Sequence, residues 1–195
     1  MFISSTYRDL KEERIAVTLY LLDNDCIPVG MEQFPASDMS QMDYIKKMLQ
    51  DCDYYILILG GKYGTPDSDG IGFTEKEYNY AKSIGIPIMS FVVKDMTSLQ
   101  GWQLEETDEM KGKLKAFREK VCSDKLVNFY TDVGDLKAKI GTSLRRCVED
   151  SPRPGWVRGD SISESGENLG IEAIKKLQNK HLKRAWLLMK KSKKC

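Results

Sequence analysis

Two glutamates, Glu75 and Glu77, stand two residues apart in G-F-T-E-K-E-Y-N-Y-A (72–81), directly after a glycine-rich loop. A carboxylate placed there can stabilise a developing positive charge, attack an electrophilic carbon, or only cap a helix. Helical spacing separates the two acids. Counting from Thr74 at about 100° per residue, Glu77 falls near ~300°, Tyr78 near ~40°, Ala81 near ~340° and Ile84 near ~280°, which together form one semi-apolar face. Glu75 falls near ~100°, beside Lys82 and among Asn79 and Lys76, on the solvated side. Glu77 is therefore the acid on the packing face, where a carboxylate is costly unless it is paired or borders a cleft. The spacing alone leaves a structural role open, as a cap or a partner of Lys62.

Other chemistries are excluded or weak. The single histidine, His181, lies in the C-terminal tail, so residues 1–150 hold neither a Ser–His–Asp triad nor a histidine-ligated metal. Gly60-Gly61-Lys62-Tyr63-Gly64 is neither a Walker loop nor G-x-G-x-x-G. It can cradle a ribose or phosphate, or be a tight turn that needs positive φ. Asp67-Ser68-Asp69-Gly70 lacks the full calcium-loop spacing and reads as a solvated turn. The five cysteines are scattered without a C-x-x-C pair, which suits reduced cytosolic thiols and no metal.

The elements that must position these residues follow from hydrophobic pattern. Residues 2–4 read as a short strand, and Thr6 with Asp9 as a capping box opening a helix to about residue 24, with Leu10, Val17 and Leu21 inward. Residues 26–30 read as strand two. Ser40 with Asp43 caps a helix to about residue 50. The unbroken apolar run 54–59 suits a central strand buried on both faces. Strand four follows at 86–93, a charged helix at 104–122, strand five at 126–130, and a helix capped by Asp132 and Asp135 that runs to about residue 149. This alternation predicts a flavodoxin-like, doubly wound sheet of five parallel strands in the order 2-1-3-4-5. The switch point then lies between strands one and three, where Ser4-Ser5-Thr6-Tyr7 and residues 60–64 meet. Strand one ends in Ser-Ser rather than an acidic pair, which argues against a phosphoacceptor domain.

Charge divides the chain. The total is +1, yet residues 170–195 carry eight lysines and one arginine against Glu172 alone. An acidic α/β domain over 1–150 is expected, then a linker with W-V-R-G-D over 151–168, then a basic amphipathic helix over 169–195. That tail could meet nucleic acid or another acidic surface through its cations. Its stripe of Ile171, Ile174, Leu177, Ala185, Trp186 and Leu188 offers docking or self-association. No apolar run is long enough for a spanning helix and no secretory signal is visible, so a cytoplasmic location is expected.

F-I-S-S-T-Y-R-D-L-K-E-E-R (2–14), G-M-E-Q-F-P-A-S-D (30–38), D-C-D-Y-Y-I-L-I-L-G-G-K-Y-G (51–64) and T-E-K-E-Y-x-x-A (74–81) closely resemble the domain-of-unknown-function family 4062. That family is regarded as related to TIR (Toll/interleukin-1 receptor) domains and nucleoside 2-deoxyribosyltransferases. The resemblance implies a catalytic glutamate at Glu77, with Thr74 and Ala81 also matching the transferase segment; the glycine that segment carries after its glutamate is replaced here by Tyr78-Asn79-Tyr80. It implies cleavage of the N-glycosidic bond of NAD⁺ or a related nucleotide, which is substrate rather than cofactor. Ser4, Ser5, Thr6, Tyr7 and Arg8 would flank ribose and phosphates, with Gly60, Gly61 and Gly64 beside them. Tyr63 could stack on a base, and Phe34 would sit in a gating loop. An antiphage or toxin-like effector is implied, working as a homo-oligomer or with a signalling partner. The alternative is a non-catalytic assembly module.

Overall fold

The central run folds as expected, and it organises the rest. Strand β2 (Tyr55–Leu59) is buried along its whole length because both of its faces are covered. Tyr55, Leu57 and Leu59 point into one core cluster; Ile56 and Ile58 point into the other. In this computed structural model, which describes residues 1–34, 38–124 and 126–155, β2 pairs in parallel with β1 (Phe2–Ser4) and β3 (Ile88–Val93). Strand β4 (Val127–Tyr130) pairs in parallel with β3 and closes the order β1-β2-β3-β4.

Among the described residues five α-helices cover the sheet: α1 (Lys11–Asp23), α2 (Gln41–Gln50), α3 (Phe73–Ser83), α4 (Asp108–Asp124) and α5 (Val133–Asp150). Helices α2, α3 and α4 supply Ile45, Leu49, Tyr78, Leu114 and Phe117 to the first cluster. Helices α1 and α5 supply Val17, Leu21, Leu136, Ile140 and Leu144 to the second. Two helix starts match the sequence reading. The Asp43 amide donates to Ser40 Oγ at 3.1 Å, and the Asp135 amide to Asp132 Oδ1 at 2.9 Å, each satisfying an amide that the helix leaves free.

Two expectations are corrected. The sheet has four strands, because residues 26–30 form only a single parallel bridge, Val29 to Phe2. Two backbone bonds secure it, Ile3 N to Val29 O and Val29 N to Met1 O, both 2.8 Å. On the side that faces β1 the groups next to Val29 are Ile27 O, which accepts from the Met1 ammonium at 2.7 Å, and Met31, which already belongs to a 3-10 turn, and Asp25 turns the chain at φ 56° just before. Secondly, Thr6 and Asp9 do not cap α1, whose N-cap is Leu10 without a side-chain bond; residues 5–10 are spent on the loop after β1. The turn reading of the loop 60–64 holds at one glycine: Gly64 has a φ of 91°, while Gly60 and Gly61 do not have positive φ.

Residues Met1–Arg153 form one compact unit. Ser151 and Arg153, assigned to a linker from sequence, are tied onto it: Tyr54 Oη donates to Ser151 O at 2.9 Å, and Arg153 Nη2 to Gly85 O at 2.8 Å. The W-V-R-G-D segment, the expected basic helix over 169–195 and His181 lie outside the described residues. Among the described residues no helix is long and apolar enough to cross a membrane, and no cluster of His, Cys, Asp or Glu could hold a metal.

Candidate functional site

Helix α3 runs back from the carboxyl edge of the sheet, so its first turns face the end of β1. Thr74, Glu77, Tyr78 and Ala81 form its buried face, which is the face helical spacing assigns. Ile84 was expected there as well, but it ends the helix and is 39% exposed. Glu77 is 1% exposed. Its Oε2 accepts a short hydrogen bond from Ser4 Oγ at the end of β1. Its Oε1 is equally buried and has no partner among the described residues. Burial pushes the carboxyl up to about 7, against the Ser4 hydroxyl and the more distant charge of Arg14, which lower it. Lys62, the partner considered from sequence, acts electrostatically on Asp9 instead.

A second polar group, Arg14 of α1, reaches the end of β1. The Arg14 side chain is 4% exposed, and its Nη1 donates to Ser5 Oγ at 2.9 Å and to Ile3 O at 3.4 Å. Its Nη2 pairs with Glu32. Gly30 makes room for this, since a Cβ there would stand 2.7 Å from both Arg14 Nη2 and Glu32 Oε2. Ser5 Oγ in turn donates to Thr6 O at 2.8 Å. Sequence reasoning missed Arg14, although the signal was present: Leu10, Arg14, Val17 and Leu21 share one helical stripe, so this arginine had to be buried and paired.

Asp9 was read as a cap and is a buried acid instead. It is 2% exposed, and neither carboxylate oxygen has a partner among the described residues. Burial raises its pKa. The Thr6 hydroxyl and its own amide lower it, yet neither makes a hydrogen bond of proper geometry, and Thr6 Oγ1 is itself buried and unpartnered. Asp9 sits directly behind Gly60 at the end of β2; a Cβ on Gly60 would come within 3.1 Å of its Oδ2 and 2.8 Å of Leu10 Cδ2.

The glycine loop serves close approach. A Cβ on Gly61 would stand 2.4 Å from the carbonyl oxygen of Gln103, whose Nε2 donates to Asp9 O at 3.1 Å. Gly64 turns the chain back, and a Cβ there would touch Thr6 Cγ2 at 3.0 Å. The loops after β1 and β2 thus meet, as the element order implied.

Other candidate residues are placed differently. Tyr63 is buried, packs edge-on against Phe117, and donates through its hydroxyl to Glu75 at 2.7 Å, so its ring belongs to the core and is not free to stack on a base. Glu75, expected among solvated residues, is 18% exposed in its side chain and paired with Lys120 at 3.0 Å. Phe34 lies against Tyr44 of α2, ring centroids 4.6 Å apart, on the flank of that helix. Tyr7 and Arg8 are exposed on the loop. Asp67 and Asp69 pair with Lys76 as a surface turn. A cavity of about 760 Å³ opens beside Gly61, between Met96, Leu104, Leu114 and Arg118; Glu77 does not line it.

The model of the family described as a domain of unknown function (DUF4062) matches residues 1–145, and the chain belongs to that family. No curated protein matches the sequence.

Proposed function

Proceeding from that membership, we propose that the domain is a TIR-like N-glycosidase that cleaves NAD⁺ or a related nucleotide, with Glu77 as its catalytic carboxylate. One observation carries the reading: a fully buried acid, bound by Ser4 through one oxygen and unpartnered at the other, at the carboxyl edge where the β1 and β2 loops meet. In a parallel α/β sheet this edge is where ligands bind. Breaking an N-glycosidic bond builds positive charge on the ribose, and an ionised carboxylate screened from water stabilises that charge strongly. In NAD⁺ the nicotinamide nitrogen is already cationic. The C–N electron pair leaves with neutral nicotinamide, water adds to the anomeric carbon, and one proton is released. No general acid is needed, which suits a site built without histidine. The Ser4 hydroxyl orients Glu77 and holds part of its charge. The biological reading is an effector in antiphage or toxin-like signalling that acts in the cytoplasm as an assembly of copies.

A second reading has its own observation. Glu77 is closed off and does not line the cavity beside Gly61, which suits an interaction module whose buried acid is structural. On the catalytic reading the first turn of α3 and the β1 loop part to admit a ribose. Incubating NAD⁺ with the full chain, beside Glu77→Ala, tests the choice. Nicotinamide release that the substitution abolishes supports catalysis. Assembly that survives the substitution, with no release by either protein, supports the module.

A further inference from the structure

The cavity beside Gly61 lies at the carboxyl edge of the sheet. Gly61 follows β2, Met96 follows β3, and α4 closes the space with Leu114, Arg118 and Cys122. Parallel α/β sheets bind ligands at this edge. The volume of about 760 Å³ is that of a small-molecule site. Gly61 keeps the loop after β3 seated against the end of β2, because a Cβ there would stand 2.8 Å from Leu99 Cδ1 and 3.0 Å from Leu104 Cδ2. Met96, Leu104 and Leu114 make the walls largely apolar.

One charge in those walls is uncompensated. Arg118 is half-buried, and its Nη2 donates to Val93 O, the last carbonyl of β3, at 3.0 Å. Its Nη1 is buried and has no partner among the described residues. No ion pair of the described residues includes Arg118. The groups that act on its charge are the Cys122 thiol and the Tyr130 phenol rather than a carboxylate, and burial holds that phenol protonated. The other cations of the cavity have acids of their own: Lys111 pairs with Asp108 at 3.1 Å and Lys115 with Glu119 at 4.0 Å. Arg14 is the contrast. It also binds a carbonyl of a strand end, but Ser5 and Glu32 complete its partners. A guanidinium does not shed its charge, so Arg118 lacks the counter-ion that its burial calls for.

We propose that this cavity binds a small monoanion with an apolar body, whose carboxylate pairs with Arg118 while the body lies against Met96, Leu104 and Leu114. The lining acids Glu105, Glu106 and Glu119 set the limit of one charge, because a polyphosphate would meet their repulsion for the sake of a single arginine. Glu105 is fixed in place, since it accepts from the Tyr63 amide at 2.6 Å. Glu77 does not line this cavity, so the site is separate from the one proposed for N-glycosidic cleavage and does not depend on it.

Calorimetry on the full chain with two probes of one shape, naphthylacetate and its neutral amide, tests the proposal. A carboxylate on an unpaired guanidinium makes charge-assisted hydrogen bonds that the amide lacks, so wild type is expected to bind the acid at least about tenfold more tightly. In Arg118→Gln the acid weakens to the level of the amide, and the amide itself changes by less than about twofold. Equal binding of both probes by wild type, or binding of neither, overturns the proposal and needs no variant. A preference for the acid that persists in folded Arg118→Gln overturns it as well. Alkylation of Cys122, which is exposed and lines the cavity one turn beyond Arg118, gives a reading on wild type alone. Saturating naphthylacetate is expected to slow it and to leave Cys26, outside the cavity, unchanged; an unaltered rate at Cys122 places the probe elsewhere and overturns the proposal.

Discussion

Replacing Glu77 with Gln keeps the shape of a fully buried side chain and removes its titration. The wild-type carboxyl is raised from 4.5 to about 7, with burial as the main cause. Between those values the folded chain holds a proton that the unfolded chain has released, so protons are bound more tightly in the native state. Stability therefore falls as pH rises through this window and levels off above the folded value. At about 1.36 kcal/mol per tenfold change in proton affinity, the loss across the window is about 3 kcal/mol. For a domain of this size that corresponds to a midpoint lower by on the order of 6–12 °C. Glu77→Gln is free of this term, so it gains on wild type by about 3 kcal/mol between pH 4.5 and 8. Urea unfolding of both proteins across that range reads the difference directly. Every other titrating group is common to the two proteins and cancels. Parallel stability curves would refute the reasoning, because they would mean that Glu77 is not buried as a titrating acid in the folded chain.

Further outcomes follow from the same geometry. The catalytic reading needs the ionised carboxylate, so kcat/KM for NAD⁺ rises with pH to a plateau with its inflection near 7; a profile flat from pH 5 to 9 contradicts it. Ser4→Ala removes the one hydrogen bond to Glu77, and costs about 1–3 kcal/mol at pH 8 and less at pH 5, where the acid is neutral in both proteins. Arg14→Met leaves Glu32 and Ser5 without their donor, and a loss of about 2–4 kcal/mol in urea unfolding is expected. Gly61→Ala drives a methyl against the Gln103 carbonyl and destabilises by about 1–3 kcal/mol; a neutral effect would show that the loop yields easily.

What could be read from the chain depended on whether local pattern or distant contact decided each residue. The run at 54–59 has no alternation, and only a strand covered on both faces tolerates that, so β2 and the parallel sheet around it were legible. Glu77 was legible because α3 keeps its period, and 100° steps place Thr74, Tyr78 and Ala81 on the same side. Glu75 was misplaced by the same arithmetic, since Tyr63 and Lys120 reach it from 12 and 45 residues away. Strand two was over-read: its apolar residues fit a strand, but the chain turns into a 3-10 helix at Met31, two residues after its one bridge. The Thr6–Asp9 spacing matches a capping box, yet the chain uses these residues in the loop after β1, and Asp9 is buried behind Gly60. Tyr63 looked available beside three glycines and is a core ring instead, because Phe117 on α4 covers it.

The central claim is tested most directly by following NAD⁺ by proton NMR with the purified full chain at high concentration, wild type beside Glu77→Gln. Nicotinamide and ADP-ribose are expected in equal amounts with wild type, and the substitution is expected to slow their appearance at least about a hundredfold, on the order of what loss of a charge-stabilising catalytic group costs. Equal rates of release from the two proteins would contradict it and assign Glu77 to the structure alone.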